Sequence, residues 1–231
     1  MPTAHPRALP PEAAPPVDDL RRARGERRRQ AILSVAVDLA STHGLEGLSV
    51  GLLASKLRMS KSGLFAHFGS MEGLQLAVVE AARDVFVDTV VRPALAAPRG
   101  LPRLWALADG WLAYAERKVF RGGCFFASAS MEFDSRPGPI RDRIAAIMRE
   151  WIGALRTAVE KAVAEGHLAR GTRADLLAFE LHALSMEANW SFQLFRDAGA
   201  FPLARDAILA RLRAAATRAA PRLPAAAATP A

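Results

Sequence analysis

Residues Leu48 to Leu74, LSVGLLASKLRMSKSGLFAHFGSMEGL, leave this chain few ways to fold. Ser49, Ser60 and Ser70 each stand directly before a run of helical periodicity, where a side-chain oxygen can take up a backbone N–H that the helix leaves orphaned. Behind Ser49 the apolar positions are Val50, Leu53, Ala54 and Leu57; behind Ser60 they are Leu64 and Phe65, with Phe68 just beyond. Leu57-Arg58-Met59 leaves room for a turn of about three residues, the length that joins the two helices of a helix-turn-helix. The second helix, Lys61 to His67, opens on Lys61, Ser62 and Gly63. Small and cationic residues there suit a helix end that approaches the floor of a DNA major groove.

The charge distribution agrees. The chain of 231 residues carries a net charge of +8. Residues 21–69 hold nine Lys/Arg against three Asp/Glu, whereas residues 70–231 hold 21 against 17. The basic excess therefore sits on and just before the opening segment, as binding to a polyanion requires. Abundant alanine, leucine and arginine, with few β-branched residues, predict an all-α protein. A single cysteine, Cys124, excludes an intramolecular disulfide and a multi-cysteine zinc site. No secretory h-region and no run of ~18 apolar residues is present, so the expectation is a cytoplasmic chain with no membrane partner.

Read in order, residues 1–25 are expected to be a disordered basic tail, Pro/Ala-rich at first and ending in the arginine run Arg21, Arg22, Arg24, Arg27, Arg28 and Arg29 that reaches into the first helix. Such a run fits a solvated helix start or, placed before a helix-turn-helix, phosphate and minor-groove contacts. Residues 26–70 are expected to form the DNA-binding domain. Its first helix, about Glu26 to Thr42, has one apolar stripe (Ile32, Val35, Ala36, Leu39, Ala40) and ends at His43-Gly44. Residues 71–217 are expected to form a second helical domain, for ligand binding and dimerisation. It opens with a long helix from Met71 to about Val91, closed by Pro93. Further helices are expected from Leu101 to about Val119, Cys124 to Phe133, Ile140 to near Gly166, Arg173 to about Arg196 and Phe201 to about Thr217. Residues 218–231 are expected to be a disordered tail.

Catalytic chemistry finds no support. His5, His43, His67, His167 and His182 are scattered with no partner at ligand spacing, so neither a metal site nor a cofactor is expected. Cys124 reads as a buried, inert thiol. His182, Glu187 and Asn189 interrupt an apolar helix and are expected in structural or dimer-interface roles ahead of ligand contact. Trp105, Trp111, Phe125, Phe126, Met131, Met148 and Trp151 fit either a plain core or the lining of an apolar cavity. The helix from Arg173 carries two apolar stripes and needs two partners. One stripe is Leu176, Phe179, Ala183, Met186, Trp190 and Leu194. The other, Leu177, Leu181, Leu184, Ala188 and Phe195, is assigned with Ile208 and Leu212 to a homodimer interface.

Residues 27–76 resemble the DNA-binding domain of the tetracycline-repressor (TetR) family. The resemblance rests on His43-Gly44, Leu48-Ser49-Val50, Leu53-Ala54, Met59-Ser60-Lys61-Ser62-Gly63-Leu64-Phe65, His67-Phe68 and Leu74. It implies a homodimer, operator binding by the N-terminal domains and a small-molecule pocket in the C-terminal domain, with ligand releasing the DNA. On that resemblance Lys61 and Ser62 are the candidates for base edges, and Ser49, Lys56 and His67 for the phosphate backbone. Ser60, Gly63, Phe65, Arg27 and Arg28 complete the expected DNA face. Two positions depart from the family pattern. Phe65 stands where a tyrosine commonly touches phosphate, and Met71 where a lysine does, so backbone affinity should be lower unless helix N-termini, His67 and the arginine run compensate. The implied function is a repressor released from a palindromic operator by an apolar or aromatic molecule. A ligand-independent, partner-recruiting regulator is the second reading, and a helical enzyme a distant third.

Overall fold

A computed structural model describes residues 17–225, with side chains from residue 21. Its first helix, α1 (Val17–His43), begins well before Glu26. Residues 17–25 are therefore helical where a disordered tail was expected. Leu20, Arg21, Arg22, Ala23 and Arg24 are strong helix formers, enough to outweigh Val17, Asp18, Asp19 and Gly25. Residues 1–16 of that expected tail lie outside the described residues. At the other end α1 stops at Gly44, which takes the left-handed conformation at φ +79° that a side chain disfavours.

Three serine caps build the next three helices. Ser49 Oγ accepts from Leu52 N at 3.1 Å and starts α2 (Val50–Leu57). Ser60 Oγ accepts from Gly63 N at 3.1 Å and starts α3 (Lys61–Phe68). Ser70 Oγ accepts from Gly73 N at 2.9 Å and starts α4 (Met71–Phe86). The turn between α2 and α3 is made by Arg58 in the left-handed region at φ 52°, with its N–H on the carbonyls of Ala54 and Ser55. A non-glycine residue there costs about 1 kcal/mol. Leu45, Leu48, Leu53, Leu64 and Leu74 are buried beneath these helices with Ile32, Ala36 and Leu39 of α1.

Pro93 does not end the long helix. A π-helical turn at Val87–Val91 shifts the hydrogen-bond register, Arg92 N bonding Val87 O, and the chain continues as α5 (Arg92–Ala96) with Pro93 in its first turn. Pro93, which has no N–H to donate, sits just past the π turn, where the hydrogen-bond register changes. The remaining helices are α6 (Leu101–Glu116), α7 (Phe125–Phe133), α8 (Pro139–Ala164), α9 (Ala174–Phe195) and α10 (Ala200–Ala215). The described residues contain no strand, only an isolated bridge between Leu168 and Ala216. The expected C-terminal tail is partly docked: Ala220 and Leu223 pack on the core, and residues 226–231 lie outside the described residues.

The two halves share one core and a polar joint. Helix α4 packs on α1 and α3 at one end and on α8 at the other. The Glu132 carboxylate at the end of α7 accepts from Leu45 N and Glu46 N, each at 2.8 Å. Gly122 N donates to Ser41 Oγ at 3.1 Å, and Arg121 Nε to Asp38 Oδ2 at 2.7 Å. The backbones approach so closely there that a Cβ on Gly122 would lie 1.7 Å from the Ser41 carbonyl oxygen. Only glycine fits.

Candidate DNA interface and apolar cavity

Helix α3 turns Leu64 into the core and leaves Lys61, Ser62, Phe65 and Ala66 exposed, with Gly63 and His67 half-buried. Ser49, Lys56 and Ser60 are exposed beside it. Arg27 and Arg28 are exposed on α1. Arg29 differs: its guanidinium lies over the Phe68 ring at 5.0 Å and clamps α1 to α3. No salt bridge engages Arg27, Arg28, Lys56 or Lys61 among the described residues, so these cations remain available to phosphate. Gly63 contributes its N–H to the Ser60 cap. The two departures have structural counterparts. Phe65 is 41 % exposed, an apolar ring on a polar face, while Met71 is half-buried against the core.

Behind this unit lies a cavity of about 250 Å³ between α4, the π turn, α6, α7, α8 and α9. Its walls are aromatic and aliphatic: Phe86, Val87, Val91, Trp111, Phe126, Ile147, Met148, Trp151 and Met186. Phe86 is the hub, edge-on to Trp151 at 5.1 Å, Tyr114 at 5.5 Å and Phe126 at 6.4 Å. Each such pair adds about 0.5–1.5 kcal/mol beyond its burial. The polar inventory is small. Arg83 and Glu150 on the wall hold each other at 3.1 Å. His182 Nδ1 and Trp151 Nε1 are buried without a hydrogen-bond partner among the described residues, and both side chains line the cavity. An unpaired buried polar atom is costly, so a ligand that hydrogen-bonds one of them gains by it. Burial lowers the His182 pKa and keeps the ring neutral. Burial also pushes the Cys124 thiol up to about 11, so this cavity-lining sulfur is no ready nucleophile.

Four of the seven expected cavity residues line it: Trp111, Phe126, Met148 and Trp151. Phe125 is fully buried and packs on Phe120 and Phe126 instead. Trp105 is half-buried elsewhere on α6, and Met131 is exposed beside a separate depression with Trp190 and Leu194. Arg83, Phe86 and His182 went unassigned as cavity residues in the sequence. The available signal was that Phe86 is the lone aromatic of α4. Of the polar residues on α9, Asn189 takes a structural role, accepting from Cys124 N at 3.0 Å, and Glu187 accepts from Ser191 Oγ at 2.8 Å. His182 faces the cavity.

The stripe of α9 that the chain itself covers is the one expected at the interface. Leu177, Leu181, Ala188, Ile208 and Leu212, expected at a dimer interface, are buried in the chain's own core, Leu177 at 0 % exposure. They have no surface to offer a second copy. Leu184 is half-buried, and Phe195 alone of that set is exposed. The uncovered face is the other stripe: Leu176, Phe179, Trp190 and Leu194, with Phe179 67 % exposed. Helix α10 packs along α9 and adds Leu203 at 72 % exposure.

Comparison with known proteins agrees with this architecture. Residues 32–78 match the model "Bacterial regulatory proteins, tetR family", and residues 100–208 match "Tetracyclin repressor-like, C-terminal domain". No curated protein matches. Among solved structures, a TetR transcriptional regulator from Chloroflexus aurantiacus J-10-FL superposes with a TM-score of 0.78 at 23 % identity, over 84 % of this chain and 98 % of that one. AibR in complex with isovaleryl coenzyme A and operator DNA superposes at 0.64 with 24 % identity, over 78 % and 95 %. The ketosteroid transcriptional regulator KstR2 of Mycobacterium tuberculosis superposes at 0.62 with 15 % identity, over 83 % and 96 %. With both family models matched in order along an all-α chain of this fold, the chain belongs to the TetR family of bacterial transcriptional regulators.

Proposed function

We propose that the protein is a dimeric repressor that leaves a palindromic operator when a small, largely apolar molecule enters the cavity. The observation that carries this reading is the path of one helix. α4 starts at Met71, against α3, and ends at Phe86 in the cavity wall. A ligand that displaces Phe86 acts on the rod that seats the DNA-reading helix. AibR, whose complex holds isovaleryl coenzyme A and operator DNA, supports the presence of both kinds of site in this fold. The uncovered face of α9 and α10 is a patch of the kind that a partner covers, and a second copy supplies the second α3 that a palindrome's other half-site needs. Operator binding puts the protein with the chromosome in the cytoplasm.

Release has a thermodynamic condition. A ligand shifts the DNA-bound population only by its differential affinity for the released arrangement, about 1.4 kcal/mol for each tenfold loss of operator affinity. The test is a small-molecule screen by thermal shift, followed by operator titration with each hit. Hits should raise the melting temperature and weaken operator binding. A Val87→Phe chain, with the cavity partly filled, should lose both responses. Hits that stabilise the protein and leave operator affinity alone would favour the ligand-independent reading.

A further inference from the structure

The cavity has a cationic annex. A groove of about 400 Å³ adjoins it, bounded by Val91, Leu95, Arg99, Gly100, Arg103 and Leu107 on one side and by α8 on the other. Val91, Glu150 and Ala154 line both spaces, so the apolar cavity and the groove are neighbours across shared walls. Helix α8 runs along both. Met148 and Trp151 face the cavity; Ala154 stands at the junction; Gly153, Thr157, Ala158 and Lys161 floor the groove. From Trp151 to Lys161 the helix rises about 15 Å.

The charges differ sharply between the two ends. The groove holds Arg99, Arg103 and Lys161 against one acid, Glu150. That acid is already engaged, by Arg83 at 3.1 Å and Arg143 at 3.7 Å. Arg99 and Lys161 make no salt bridge among the described residues. Among the described residues Arg103 bonds only the Ala97 carbonyl, through Nε at 3.2 Å and Nη2 at 2.9 Å, which fixes the guanidinium without neutralising it. Three uncompensated cations beside an aromatic cavity are complementary to a molecule with an anionic head and an apolar tail.

We infer that the effector is an anionic amphiphile, its acyl or aryl group between Phe86, Phe126 and Trp151 and its carboxylate or phosphate on Arg99, Arg103 and Lys161. The inference rests on the cavity being the effector site. A free carboxylic acid and a coenzyme A thioester both carry this chemistry, the first with the charge next to the tail and the second with phosphates farther out.

The test measures dissociation constants by tryptophan fluorescence, since Trp111 and Trp151 line the cavity. The probes are straight-chain and phenyl-substituted carboxylic acids of increasing length, their primary amides and their coenzyme A thioesters. At the best length an acid or a thioester should bind about tenfold or more tighter than the amide, and the gap should narrow with added salt. A preference for the acid or for the thioester identifies the source of the charge. In the double variant Arg99→Gln, Lys161→Gln the gap should close. Both positions are exposed, and thermal melting checks that the variant is folded; Arg103 stays because it also holds Ala97. Amides that bind as tightly as acids, or a gap that persists in the double variant, would overturn the anionic head and leave the cavity assignment standing. Failure of all three series to bind, or binding unaffected by Trp151→Ala, would overturn the cavity assignment and the inference together.

Discussion

Removing the Glu132 carboxylate tests the joint between the DNA-binding helices and the cavity wall. Its two oxygens accept from Leu45 N and Glu46 N at 2.8 Å each, and no other described side chain takes these N–H groups. The loop they anchor leads from α1 into α2, while the other end of α7 carries Phe126 and Ala127 of the cavity wall. A hydrogen bond to a charged group contributes about 1.5–3 kcal/mol net when buried. Glu132 is half-buried, so screening reduces that, and water can reach Glu46. About 2 kcal/mol for the pair is a reasonable total. For a chain of this size that corresponds to a fall of about 4–8 °C in melting temperature for Glu132→Ala. Glu132→Gln keeps one carbonyl acceptor and should lose about half as much. Urea titration of both variants, with m unchanged and the midpoint lowered in that order, separates a lost contact from a change in the denatured state. Operator binding by the same proteins should show a smaller response to ligand, because the loop is no longer tied to the cavity wall. Melting temperatures of both variants within a degree of the parent would show that Glu132 does not hold this loop.

Three further outcomes follow from the same geometry. Gly122→Ala should destabilise by about 3 kcal/mol or more, since its Cβ would overlap the Ser41 carbonyl, and the check is chemical denaturation. Phe179→Glu with Trp190→Glu should convert a dimer to a folded monomer in sedimentation, whereas Leu177→Asp should unfold the chain; a dimer that survives the first pair would contradict the assignment of the outer stripe. Burial depresses the His182 pKa below its ordinary 6.5, so its neutral form is favoured by folding. Its contribution is therefore present above about pH 6.5 and lost as pH falls through that value toward the lower folded one, and His182→Gln should flatten that limb of a stability–pH profile.

Which parts of this were readable in advance follows from the range of the forces involved. Ser49, Ser60 and Ser70 act on N–H groups three residues away, so the sequence alone placed α2, α3 and α4. The helical start of α1 was hidden because Pro/Ala-rich residues run directly into strong helix formers. Pro93 reads as a stop until a π turn absorbs it, and no residue pattern announces that turn. On α9, periodicity reported two apolar stripes but not which one the chain itself covers. That choice is made by how α6, α8 and α10 pack against α9, which residue spacing within α9 does not encode. Phe125 and Phe126 make the same point in miniature. Adjacent on a helix, they point about 100° apart, one into solid core and one into the cavity. Phe65 and Met71 were legible as departures from the family pattern; what they cost is a matter of phosphate contacts, which only DNA can report.

Reading of DNA by α3 as one of a pair is tested by selecting binding sites from random duplex DNA and titrating the selected site between about 50 and 200 mM salt. The selected sites should show inverted half-sites about ten base pairs or a multiple apart, affinity falling steeply with salt, and a loss of discrimination in Lys61→Ala at the base pairs nearest α3. Enrichment of no sequence at low salt, or a selected site indifferent to Lys61, would contradict it.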